Sequence, residues 1–174
     1  MTEPTIDPTL PEVVRRFLAA GARLESIRLD ASGVWWHEGG RVENPRVAAL
    51  FSRSVNRTPG GTWVLEIAPF TYPIEVEDTP LFVEKIASDR DDPGHPDERL
   101  TLTLSDATTE ALIPDSLAYD ALRGMTCAVK GGRFEARFKR PAFHALADRL
   151  EEIEGGFALR VAGRAIPLVP TPTP

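Results

Sequence analysis

At 174 residues, 42% hydrophobic and 26% charged, the chain can form one ordinary domain or two small ones that share a core, with no need of a covalent staple. Its net charge of −6, with basic residues scattered at Arg15-Arg16, Arg133, Arg137 and Lys139-Arg140, offers no basic face of the kind that displaces counterions from a nucleic acid. A single cysteine, Cys127, rules out an intrachain disulfide, and no stretch approaches the eighteen apolar residues of a membrane span, so a cytoplasmic home is expected.

The start, MTEPTIDPTLPEVV, is acidic and proline-rich and lacks the features of a signal peptide. Met1 to Pro8 reads as a loose arm. Thr9-Leu10-Pro11-Glu12 fits a capping box, with Leu10, Val13, Val14, Phe17 and Leu18 following at helical spacing and Gly21 closing the helix. Arg23 to Leu29 reads as a strand, Asp30-Ala31-Ser32-Gly33 as a turn, Val34 to His37 as a strand and Glu38-Gly39-Gly40 as another turn. Asn44-Pro45 starts a second helix that runs to about Val55. Pro59-Gly60-Gly61 breaks the chain, and strands are expected at Trp63 to Ile67, Pro73 to Val76 and Leu81 to Ala87.

Ser88 to Arg99 is polar and rich in turn residues, and reads as a solvated loop between paired strands that resume at Leu100 to Leu104. A strand over Thr108 to Ile113 follows, and Pro114 to Arg123 is either irregular or one helical turn. Met125 to Val129 and Arg133 to Phe138 flank a Lys130-Gly131-Gly132 hairpin turn. Pro141 opens a helix expected to run through Ile153, with Phe143, Leu146, Ala147 and Leu150 inward. Strands at Phe157 to Val161 and Ala165 to Val169 precede an extended, disordered tail, 170–174.

Part of this order occurs twice. Pro45 and Pro141 stand 141 − 45 = 96 residues apart, as do Leu50 and Leu146; Trp63 and Phe157 stand 157 − 63 = 94 apart, as do Pro73 and Pro167. The pattern predicts an α+β chain of two similar units, each a mostly antiparallel sheet packed on a helix that covers its apolar face. The expected boundaries are 1–22 for the arm and first helix, 23–99 and 100–169 for the units, and 170–174 for the tail. The crevice between such units is a common place for a ligand.

The runs IRLDASGVWWHEGGRVENPRVAALFSRSV, GGTWVLEIAPF and PIEVEDTPLFV resemble a bacterial family known as domain of unknown function 1285 (DUF1285). The features are the turn at Trp35 to Gly39, Leu50-Phe51-Ser52, Val76-Glu77-Asp78-Thr79-Pro80, and Glu135-Ala136 with Arg140-Pro141. The resemblance covers roughly Leu24 to Leu168. It implies two similar α+β units, a bacterial origin and a signalling or ligand-sensing role without an established activity. Two departures stand out: Ala68-Pro69-Phe70-Thr71 replaces a segment that carries a glutamate in the family, and Glu43-Asn44-Pro45 lacks an arginine.

Candidate chemistry centres on VWWHEGG. Neighbouring strand residues point to opposite faces, so one of Trp35 and Trp36 packs inward and the other is left to cover a join or to line a binding surface. The expected site residues are Trp35, Trp36, His37, Glu38, Phe70 and Arg140, serving a small molecule or a protein partner. Glu77 or Asp78 marks a turn, or pairs with Arg41 or Arg140. The alternative is a hydrolase or transferase using His37 with Glu38 or Asp78, which requires His37 within about 3 Å of a carboxylate. No activated nucleophile stands nearby, so a non-enzymatic regulatory module is the main expectation. Acidic residues of the 88–99 loop lack EF-hand order, the histidines are far apart, and no phosphate-binding glycine loop occurs, so no metal and no cofactor is expected.

Overall fold

In the computed structural model, which describes residues 5–168, the chain is α+β and divides into two compact units between Asp78 and Thr79. The arm residues Met1 to Pro4 and the expected tail, with Val169, lie outside the described residues.

The first unit contains α1 (Glu12–Ala19), β1 (Ile27–Leu29), β2 (Trp35–His37), β3 (Gly40–Arg41), α2 (Pro45–Ser54), β4 (Val55–Arg57), β5 (Trp63–Ile67), β6 (Phe70–Pro73) and β7 (Glu75–Val76). One sheet runs β3-β2-β1-β7, with β1 and β7 parallel; the other is the antiparallel meander β4-β5-β6. Leu29, Trp35, Val55, Val64 and Leu65 form its apolar interior. Asn44 caps α2 as expected, its Oδ1 accepting from the Arg46 amide at 2.9 Å, with Pro45 in the first turn, where a missing N–H does no harm.

The capping box at α1 does not form. Pro11 precedes the helix without a side-chain cap. Thr9 is drawn instead to Asp7, whose carboxylate accepts from the Thr9 amide and from the hydroxyls of Thr9, Thr58 and Thr62. These hydrogen bonds, Thr58 first, hold the Asp7 carboxyl well below the usual carboxylate range. The arm is therefore fastened from Asp7 onward to the Thr58–Thr62 turn. A Cβ on Gly60 would run into the Asp7 carboxylate, which would have to leave its present hydrogen bonds to make room. Gly21 closes α1: its amide and that of Ala22 donate to the carbonyls of Leu18 and Phe17. Val13 and Phe17, placed at helical spacing, are exposed.

The second unit contains β8 (Leu81–Ser88), β9 (Leu100–Leu104), β10 (Thr109–Ala111), β11 (Ala118–Asp120), β12 (Gly124–Val129), β13 (Phe134–Phe138), α3 (Arg140–His144), β14 (Leu150–Ile153), β15 (Gly156–Val161) and β16 (Arg164–Pro167), with 3₁₀ turns at Pro114–Ser116 and Ala147–Arg149. A six-stranded sheet has the order β10-β9-β8-β13-β12-β11, antiparallel except where β8 meets β13. The sequence reading places residues 79–99 with the first unit; pairing of β8 with β9 and β13 puts 81–88 in the second. Alternating residues such as Val83, Leu102, Leu104, Cys127 and Val129 join Leu146, Leu159 and Val161 in one buried cluster.

α2 ends at Ser54, about where its apolar spacing predicts, whereas α3 is shorter than expected and stops at His144; further along the chain come β4 and β14. Each of these opens an antiparallel meander, β4-β5-β6 and β14-β15-β16. Val64 faces Pro73 and Leu65 faces Tyr72 in the first; Ala158 faces Pro167 and Leu159 faces Ile166, each 94 positions later, in the second.

The 89–99 loop is not simply solvated. Glu98 is fully buried, accepts from the Ser88 hydroxyl at 2.6 Å and the Gly94 amide at 2.9 Å, and pairs with buried Arg149. The Gly163 amide also donates to the Gly94 carbonyl. A polar composition conceals one carboxylate whose partner lies 51 residues away.

Candidate functional site

The question of VWWHEGG resolves into a tight hairpin. His37 pairs with Gly40, and Glu38 and Gly39 between them take φ of 48° and 78°, the positive values that a two-residue hairpin turn needs. The two tryptophans part as strand geometry demands. Trp35 is 3% exposed, meets Phe51 edge-on at 5.3 Å and donates from Nε1 to the Ser52 hydroxyl at 3.0 Å. Half-buried Trp36 donates to Asp30 Oδ2 at 2.7 Å and lies under the Arg28 guanidinium, 5.3 Å from the ring centroid. Arg28 pairs with Glu77, which also accepts from the Ala31 amide. The expected partners of Glu77, Arg41 or Arg140, are thus replaced by Arg28. Burial opposes ionisation of Asp30, but hydrogen bonds from Ser32, Trp36 and Val34 outweigh it and hold the carboxyl at about 2.

His37 and Glu38 do not act on one another. His37 Nε2 lies 2.8 Å from Glu25 Oε2, while Glu38 accepts from the Ser26 amide and lies 3.6 Å from Arg23. The Glu25 carbonyl accepts from the Tyr72 hydroxyl at 3.0 Å. Burial, with the charges of Glu25 and Glu38, raises the Tyr72 phenol above its ordinary value. Phe70 stands two residues from Tyr72 on β6, hence on the same face, and is 70% exposed. The distance asked of a His–carboxylate pair is met, with Glu25 in place of Glu38 or Asp78. Both groups are open to water.

Arg140 belongs to the second unit, where it lines a hollow of about 410 Å3 with Tyr119, Leu122, Arg123, Arg137, Phe143 and His144. The hollow lies between the β11–β12 turn and α3. The register that sets Thr126 against Arg137 carries Arg123 and Arg140 to the same end of the β12–β13 hairpin. Arg123 pairs with Glu135. The Arg140 side chain makes no hydrogen bond or ion pair with a described residue. Sequence reading named Arg140 and missed Arg123, Arg137 and His144. The available signal was the Gly131-Gly132 turn, whose fold-back fixes the register. A larger hollow, about 570 Å3, is lined by Ile6, Asp7, Leu10, Leu18, Thr62 and Pro73 among others; its one charged group, Asp7, is already engaged by three threonines.

Cys127 is buried, and burial, reinforced by Glu110 and Glu135, pushes its thiol up to about 12. Among the described residues no group of three or more His, Cys, Asp or Glu is arranged to hold a metal ion, and no helix is long and apolar enough to cross a membrane.

Two α+β units, each with a helix leading into a three-stranded meander, define the structural class. No family model and no curated protein matches the sequence. Two solved structures share the fold. A crystal structure of a DUF1285 family protein from Silicibacter pomeroyi DSS-3 aligns with a TM-score of 0.65 at 22% identity, over 83% of this chain and 80% of that one. Another DUF1285 family protein, from Shewanella baltica OS155, aligns with a TM-score of 0.54 at 15% identity, over 72% and 92%. The chain has the DUF1285-like fold that its sequence motifs imply.

Proposed function

We propose that this chain is a non-enzymatic, regulatory binding module of the bacterial cytoplasm, and that its small-molecule ligand occupies the hollow around Arg140. The observation that carries this reading is a guanidinium, without a partner among the described residues, on the wall of a hollow of about 410 Å3, a size that suits a small metabolite. The exposed His37–Glu25 pair and the high thiol pKa of Cys127 support binding over nucleophilic catalysis. Trp36, His37, Glu38 and exposed Phe70 form, in this reading, a surface on the first unit offered to a protein partner. The shared register of the two meanders, 94 residues apart, supports their descent from one duplicated module.

A metabolite library read by thermal shift tests the hollow, because a ligand that prefers the native state raises its stability. A true ligand raises the melting temperature in proportion to the logarithm of its concentration. It also moves the amide resonances of residues 119–124 and 137–144. A library without a hit, or hits that move only other resonances, would overturn the assignment.

A further inference from the structure

The charge lining the hollow narrows its ligand, given that the hollow is the binding site. In a chain of net charge −6, the lining holds Arg123, Arg137, Arg140 and His144 and no carboxylate. The acidic groups nearest in sequence are already used. Glu135 is taken by Arg123 and by the Thr126 hydroxyl. Asp120 accepts from the Leu122 and Arg123 amides. Among the described residues the Arg140 guanidinium is left without a partner, and no lining group opposes its charge. A guanidinium is a planar fork of donors matched to the oxygens of a phosphate or carboxylate. The remaining wall is apolar: Phe143 and Tyr119, with Leu122, itself 85% exposed. An exposed leucine beside the unpaired Arg140 guanidinium suits a ligand with two unlike ends.

We infer that the hollow takes a small organic anion, its phosphate or carboxylate held by Arg140 with Arg137 and His144 alongside, and its apolar body set against Phe143, Tyr119 and Leu122. The test is titration calorimetry on the full chain with phenyl phosphate, benzoate, inorganic phosphate and neutral benzyl alcohol, at matched ionic strength because salt screens exposed charge. Phenyl phosphate or benzoate binds, and whichever is tighter identifies the anionic group. Arg140→Ala weakens that binding at least tenfold, Arg140→Lys weakens it less, and Arg46→Ala, an exposed arginine of the first unit, leaves it unchanged. Inorganic phosphate bound as tightly as phenyl phosphate would overturn the apolar end. Benzyl alcohol bound as tightly as the anions would overturn the anionic class while the hollow stands as a site. Equal weakening by Arg46→Ala, or no binding of any probe, overturns the inference; the library screen then decides the hollow independently.

Discussion

Trp35 and Trp36 are neighbours with opposite work. Trp35 fills the interior and satisfies the buried Ser52 hydroxyl, so Trp35→Ala removes an aromatic and strands a polar group, costing about 3–5 kcal/mol. Trp36→Phe keeps a ring beneath Arg28 and loses only the bond to Asp30, costing about 1 kcal/mol. Phe70→Ala, at an exposed hairpin end, stays within about 0.5 kcal/mol of the parent. Urea denaturation ranks the three, and a Trp36→Phe loss as large as that of Trp35→Ala would contradict the assignment of inside and outside. That one indole is buried was legible, since strand alternation requires it. Which one was not, because the choice depends on Phe51 and Ser52, brought in by α2 from sixteen and seventeen residues away.

At the scale of elements, the hairpins and proline-led helix starts were legible because their signals are local: Asn44-Pro45, Glu38-Gly39, Gly131-Gly132. The strands β4 and β14 were not. Val55 and Leu150 fall at helical spacing as well as in strands, and only pairing with Leu65 and Leu159 decides between them. The 89–99 loop was misread for a like reason, since its anchor is the distant Arg149. Removing one member of a buried ion pair leaves the other uncompensated, so Glu98→Gln costs about 3–5 kcal/mol in urea denaturation. The Arg149 Nε, buried and without a partner among the described residues, shows that the pair is not perfectly served even now. Burial resists the charge on Glu98, but hydrogen bonds from Ser88, Arg149 and Gly94 prevail and set its pKa below the ordinary 4.5. A carboxyl with a folded pKa below the unfolded one contributes fully above 4.5, and its contribution fades as pH falls through the lowered value. Acid titration of Glu98→Gln accordingly has a flatter limb below pH 4.5 than the parent. An unchanged limb would show that the loop anchor does not titrate.

For the whole molecule, α+β composition and a division into two units were legible in order and spacing, because each unit carries its own helix start and turn glycines. The boundary was not, because β8 reads equally well as the end of one unit or the start of the next until β13 is placed beside it. The candidate site divides the same way: Arg140 was legible as part of Arg140-Pro141, whereas the hollow needed the hairpin register. All three tryptophans, Trp35, Trp36 and Trp63, lie in the first unit, while the one cysteine sits in the sheet interior of the second. Nature has thereby labelled each half with its own reporter. Indole emission during denaturation follows one half, and the rate at which a thiol reagent reaches Cys127 follows the other. Run on a single unmodified sample, the two signals reveal whether the halves melt together or in succession.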